Sequence, residues 1–104
     1  MAVIIVATAF PMPEHRDEVI AALEKAEETV HPSEDGCLLY ALHEGPDGRL
    51  VMIEKYADQA AVDAHISGAG LAALQAAIKG KLAQPMDIQV LAPHPAGSAE
   101  KGML

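Results

Sequence analysis

The sequence predicts a single α+β domain in which four strands and two helices follow the order β-α-β-β-α-β. Three observations carry this prediction: apolar runs rich in β-branched residues, two segments with apolar residues every three or four positions, and turn residues between them. Two helices cannot cover both faces of a sheet. We therefore expect a four-stranded antiparallel sheet with both helices on one face, the ferredoxin-like arrangement.

The first strand and the first helix are separated by a proline-rich turn. Residues 2–10 are rich in β-branched side chains and apolar at both odd and even positions, which predicts a strand with two buried faces. Pro13 can open the helix at its first turn, and His31-Pro32 is expected to end it. The apolar stripe of this helix has helical spacing and consists of Val19, Leu23, Ala26 and Val30.

The middle of the chain predicts a β-hairpin. Residues 37–44 and 49–56 form its strands, and the four residues from Gly45 to Gly48 form its turn. If the hairpin has no bulge, Glu44 pairs with Arg49, and alternate residues of both strands share one face. That face would carry Leu39, Ala41, His43, Leu50, Met52, Glu54 and Tyr56.

The last part of the chain predicts a second helix and a closing strand. Asp58 is a suitable N-cap, and the glycines around Gly68 predict a helix that is kinked or broken there. Residues 86–92 form the last strand. Beyond them no periodicity remains, so we expect one domain over residues 1–93 and a C-terminal tail over residues 94–104.

Composition limits the classes of partner. The 104 residues include 15 acidic and 7 basic side chains, a net charge of −8, which argues against nucleic acid and anionic membranes as partners. The lone Cys37 excludes an intrachain disulfide and favours a reducing compartment. The N-terminal apolar run lacks a basic segment and is too short to span a bilayer, so we expect a cytoplasmic protein.

Several strands are apolar on both faces, although helices can cover only one of them. The uncovered face of four strands measures roughly 400 Å² and would be an exposed apolar patch on a monomer. We therefore expect a homodimer that forms by packing sheet against sheet.

Four segments together resemble a known family. From about Val6 to Leu91 the chain is similar to the antibiotic biosynthesis monooxygenase (ABM) domain family, which implies a dimeric α+β barrel. Characterised members include quinol and anthrone-type monooxygenases that use O₂ without metal or flavin, so the resemblance implies no cofactor. The residues that carry it are Arg16-Asp17-Glu18, Asp35-Gly36-Cys37-Leu38-Leu39-Tyr40-Ala41-Leu42, Glu54-Lys55-Tyr56 and Ala60-Ala61-Val62-Asp63-Ala64-His65.

His65 and Glu54 are the candidate catalytic residues. His65 lies on the inward stripe of the second helix, and its imidazole titrates near neutral pH, as a base for a phenolic substrate must. It could instead be a structural histidine at the sheet edge. Glu54 on a central strand needs a partner such as His65, His43 or Tyr56, and it could equally belong to a buried structural network or a dimer contact.

Tyr56, His43 and Met52 are the candidate substrate-binding residues, because they share the predicted inner face with Glu54. Core packing is the usual role of a strand tyrosine, and His43 could be a surface residue near the turn. No two histidines are spaced as helical metal ligands, so no metal site is predicted. Gly68-Ala69-Gly70 is not a dinucleotide motif, because no strand precedes it.

Three functions remain open at this point. The first is a cofactor-independent monooxygenase that oxidises a small electron-rich aromatic, such as a quinol or an anthrone, with O₂. The second is a non-oxidative isomerase or lyase that uses the same base. The third is a dimeric protein that binds a small ligand without turnover.

Overall fold

The computed structural model describes residues 1–104 and contains four strands and three α-helices. The strands are β1 (Val3–Pro11), β2 (Cys37–Glu44), β3 (Leu50–Tyr56) and β4 (Leu82–Leu91). The helices are α1 (Arg16–Ser33), α2 (Gln59–Ile66) and α3 (Ala69–Ile78), and a short 3-10 turn at Pro13–His15 leads into α1. The predicted element order is confirmed, with the second helix divided into α2 and α3.

The strands form one antiparallel sheet in the order β2-β3-β1-β4. Alternate residues of β1 and β3 face the helices and form the core with the buried stripe of α1. On β1 these inner residues are Ile5, Ala7 and Ala9, which pair with Glu54, Met52 and Leu50 of β3. This arrangement confirms the ferredoxin-like fold.

The helix boundaries follow local chemistry. The Asp58 carboxylate accepts a hydrogen bond from the Ala61 N–H at 2.9 Å and caps α2, as predicted. The chain then bends by 49° between α2 and α3, which confirms the break near Gly68. α1 continues past Pro32 to Ser33, because the Ser33 hydroxyl and the Glu34 N–H donate to carbonyls of the preceding turn and complete it around the proline.

The predicted register of the hairpin is wrong by one residue. Glu44 pairs with Leu50, so the loop has five residues, Gly45 to Arg49. Arg49 donates through its side chain and backbone to Asp47 and lowers the pKa of that carboxyl to about 2, while Gly48 adopts a positive φ of 89°. This extra loop residue turns β2 over, because side chains alternate between the faces of a strand. Its inner residues are Tyr40 and Leu42 in place of Leu39, Ala41 and His43.

β4 begins at Leu82, four residues earlier than predicted, and ends at Leu91. Its first residues pair with Phe10 and Pro11 across an irregular register. Pro85 is tolerated within the strand because β4 is at the edge of the sheet.

The outer face of the sheet is apolar and carries no helix. Val6, Val51 and Ile53 are half-buried at its centre, and the Lys55 ammonium there donates to the C-terminal Leu104 oxygen at 2.7 Å. The tail therefore returns to the same sheet. No single helix is long and apolar enough to span a membrane, and α2 and α3 meet that test only together, across their bend.

Candidate active site

An apolar cavity lies between the sheet and the α2–α3 pair. Its volume is about 390 Å³, within the range of small-molecule sites, and 13 of its 16 lining residues are hydrophobic. Its polar lining consists of Glu54, His65 and Gln75. At the cavity's edge, Ile66, Ile88 and Val90 are more than half exposed, so an apolar ligand has a route from solvent.

His65 of α2 stands between two carboxylates that come from different parts of the fold. Its Nδ1 lies 2.8 Å from Glu34 Oε1, and its Nε2 lies 3.9 Å from Glu54 Oε1. Only 4% of His65 is exposed. A carboxylate accepts hydrogen bonds and does not donate them, so the Nδ1 N–H of His65 donates to Glu34.

Glu54 and Tyr56 form a buried hydrogen-bonded pair beside this imidazole. The Tyr56 hydroxyl donates to Glu54 Oε1 at 2.5 Å. Burial raises the pKa of the Glu54 carboxyl, and the hydrogen bond from Tyr56 and the nearby imidazole lower it in part. Burial also raises the pKa of the Tyr56 hydroxyl, which therefore stays protonated as the donor.

Two polar atoms of residues that line the cavity have no hydrogen-bond partner in the chain. Every fully buried side-chain nitrogen or oxygen atom in the structure has a hydrogen bond. His65 Nε2 and the Tyr40 hydroxyl have none, so neither atom is fully buried, and both residues line the cavity; Tyr40 also lines a second hollow beside β2. The site therefore offers a basic nitrogen and a hydroxyl to a ligand that apolar side chains surround.

Three of the five predicted site residues line the cavity. His65 projects from α2, and Glu54 and Met52 project from the inner face of β3. Tyr56 is fully buried behind them and contacts the site through Glu54 and through its ring, whose centroid lies 5.3 Å from that of His65.

His43 does not reach the cavity, so the prediction that placed it on the inner face is wrong. It is exposed on the outer face of β2, and its Nδ1 forms a hydrogen bond with the Ala41 carbonyl at 3.0 Å. The five-residue loop is the cause, because it shifts the strand by one position.

Two residues of the site, Tyr40 and Glu34, have roles there that the sequence did not predict. Tyr40 is 3% exposed and lines the cavity. Its ring packs against that of His65, and the two ring centroids are 5.4 Å apart. Glu34 follows α1 in a polar loop and meets His65 only because α2 packs beside it. The buried position of the histidine is the one sequence signal that predicts such a partner.

No group of three or more His, Cys, Asp and Glu side chains is placed to hold a metal ion. Cys37 donates a weak hydrogen bond to the Leu39 carbonyl, and burial raises the pKa of its thiol to about 11. A thiol with so high a pKa is a poor nucleophile at neutral pH.

Fold and site together define a ferredoxin-like domain with a histidine at the wall of an apolar cavity. Residues 2–77 match the family model described as "Antibiotic biosynthesis monooxygenase", and the chain belongs to this family. A Mycobacterium tuberculosis relative named "Putative monooxygenase Rv0793" is 35% identical over 98 residues, which are 93% of this chain and 96% of the relative.

Solved structures agree with this assignment. The structure of Rv0793 superposes with a TM-score of 0.87 at 31% identity and covers 94% of this chain and all of its own. A Caulobacter crescentus structure described as a "putative antibiotic biosynthesis monooxygenase" has a TM-score of 0.82 at 26% identity and covers 86% of this chain and 87% of its own.

Proposed function

We propose that the chain is a cofactor-independent monooxygenase that oxidises a small electron-rich aromatic, such as a quinol or an anthrone, with O₂. One observation carries the proposal: His65, whose Nε2 has no hydrogen bond within the chain, lines an apolar cavity of about 390 Å³. Apolar walls hold a flat ring, and the nitrogen accepts a proton from it.

The reaction begins with proton transfer from the substrate's acidic O–H or C–H to His65 Nε2. The resulting carbanion gives an electron pair to O₂, a carbon–oxygen bond forms, and the imidazolium returns its proton to the peroxide. The hydroperoxide then loses water, and a carbonyl remains on the ring. One atom of O₂ enters the product and the other leaves as water, so the substrate is the only reductant.

The chain supplies placement and a dry environment for these steps. The Tyr40 hydroxyl can donate to a substrate oxygen, and Met52 provides apolar surface beneath the ring. Water is kept away by the aliphatic lining, which leaves the carbanion to react with O₂.

We also propose that the protein is a cytoplasmic homodimer that packs through the outer faces of its sheets. The apolar centre of that face at Val6, Val51 and Ile53, which no helix covers, supports the dimer, and the unpaired Cys37 supports a reducing compartment. The expected solution mass is about twice the 10.9 kDa of the chain. A mass near 11 kDa at every concentration would contradict the dimer.

Oxygen uptake with reduced menadione or an anthrone tests the reaction. We expect uptake above the buffer rate, and we expect His65→Ala to lower it by about 10²- to 10⁴-fold, the usual contribution of a general base. His94→Ala is the matched control, because His94 is exposed in the tail. An unchanged rate in His65→Ala would refute the role of His65.

The non-oxidative isomerase or lyase is a second candidate, and Glu54 favours it. Burial raises the pKa of its carboxyl, so Glu54 can give a proton to one substrate atom while His65 takes one from another. Turnover without air would support this candidate. Tight aromatic binding without turnover in air or argon would favour the ligand-binding protein.

A further inference from the structure

We infer that Glu34 is the positioning residue of His65: it holds the imidazole proton on Nδ1 and so keeps Nε2 bare toward the cavity. The inference deepens the proposed function and rests on it for its effect on turnover. Glu34 does not line the cavity, so it acts through the imidazole alone.

Glu34 is fixed by its place in the chain. It is the C-cap of α1, its N–H donates to the Val30 carbonyl, and its own carbonyl accepts from the Cys37 N–H, each at 3.0 Å. Both ends of the residue are therefore tied to α1 and to the start of β2. The side chain is 15% exposed and points to the junction of α2 and α3.

Glycines at this junction lie beside the carboxylate. A Cβ built on Gly68 would lie 3.5 Å from Glu34 Oε2, and one built on Gly70 would lie 3.8 Å from it. Gly70 also lets α3 approach α1, because its built Cβ would already be 3.2 Å from Val30. The break between α2 and α3 thus brings the first turn of α3, with its unpaired N–H groups, beside a negative charge.

The two carboxylates beside His65 have different surroundings. Glu54 is 5% exposed, carries the Tyr56 hydrogen bond and lines the apolar cavity. Glu34 lines a separate hollow of about 480 Å³, and its side chain is 15% exposed. Glu34 is thus the carboxylate within hydrogen-bond distance of the imidazole, at 2.8 Å from Nδ1, whereas Glu54 lies 3.9 Å from Nε2.

The remaining groups around the ring do not compete for Nδ1. Glu54 stands 3.9 Å from the opposite nitrogen, and the rings of Tyr40 and Tyr56 pack on the imidazole with centroids 5.4 and 5.3 Å away. Glu34 is therefore the only group that accepts the Nδ1 proton.

Nitrogen NMR of the ¹⁵N-labelled full chain at about pH 8.5 tests the inference without any substrate. The His65 signals are assigned by their loss in His65→Gln. We expect a neutral ring with a proton on Nδ1 and a bare Nε2. A ring with its proton on Nε2, or with both nitrogens protonated, would overturn the inference.

Glu34→Gln tests the same point through kinetics. The amide can donate to Nδ1 as well as accept from it, so we expect a lower fraction of the Nδ1–H tautomer. The kcat for oxygen uptake should fall by at least about tenfold while KM stays within about twofold, because substrate still contacts the same cavity. Asp35→Asn is the matched control, since it removes the neighbouring exposed charge without touching His65.

The outcomes separate this inference from the proposed function. The expected tautomer without any oxygen uptake would remove the monooxygenase proposal and leave the role of Glu34 in holding the ring. Oxygen uptake by a parent chain whose His65 proton lies on Nε2 would remove the role of Glu34 alone. So would a Glu34→Gln variant that keeps both the tautomer and the kcat of the parent chain.

Discussion

The two halves of the helical layer meet the same sheet in different ways. The α1 half is solid: Val19 and Val30 are fully buried, and Leu50 beneath the helix is 1% exposed. The α2–α3 half is hollow, because α3 packs chiefly on α1 and leaves the cavity between itself and β4. One half supplies stability, and the other provides space for a ligand.

The difference originates in the helices. α1 has 18 residues with an unbroken apolar stripe, so it covers the sheet along its length. α2 and α3 are short and bent by 49°, and one of the two buried side chains of α2 is the polar His65. The gap between this bent pair and the sheet is the candidate site.

Truncation of a leucine in each half should give the largest effects. Leu50→Ala in the solid half should lower the free energy of unfolding by about 3–5 kcal/mol, because close neighbours on every side lose contacts. Leu74→Ala should cost about 2 kcal/mol, since that side chain already borders empty space. Urea unfolding measures both. Equal losses would contradict the division into a solid and a hollow half.

Enlargement of an alanine gives a sharper contrast within one strand. Ala7 and Ala9 share the inner face of β1, but only Ala7 lines the cavity. Ala9→Leu should destabilise the fold by about 1–3 kcal/mol through overpacking. Ala7→Leu should change stability by less than about 1 kcal/mol and abolish the binding of aromatic ligands, which fluorescence or calorimetry can follow. Ligand binding that survives Ala7→Leu would place the site elsewhere.

The smallest effect is a pH dependence that arises from the hollow half. Burial raises the pKa of Glu54 in the folded state, so the folded chain binds more protons than the unfolded one between the two pKa values. Stability should therefore decrease as pH rises above about 4.3, the value of an unperturbed Glu, toward the raised pKa. Glu54→Gln should remove this decrease.

Urea unfolding at several pH values measures this difference. Glu24→Gln is the control, because Glu24 is exposed on α1 and forms no ion pair, and its pH profile should match that of the parent chain. A Glu54→Gln profile that also matches the parent would show that the buried carboxyl does not titrate differently on folding.

Much of the fold could be predicted from the sequence because it depends on local patterns. The stripe of α1, the cap at Asp58 and the break at Gly68 are each encoded within a few residues. The residues on the inner face of β3 were predicted as well, since their alternation along the strand does not depend on the length of the loop. Local chemistry decides all of these features.

The candidate site was predictable only in part. His65 and Glu54 are visible as polar residues in apolar patterns, and both line the cavity. Glu34 is not visible, because it is 31 residues from His65 and meets it through tertiary packing alone. The role of Tyr40 could not be predicted either, since the face of β2 depends on the length of a loop.

The Gly45–Arg49 loop has a consequence for how such chains can diverge. Adding or deleting a single codon there would exchange the odd and even positions of β2 and replace Tyr40 beside the imidazole with a neighbour from the solvent side. Changes of two codons would preserve the parity. Natural variation in this loop should therefore proceed in even steps wherever the tyrosine is needed.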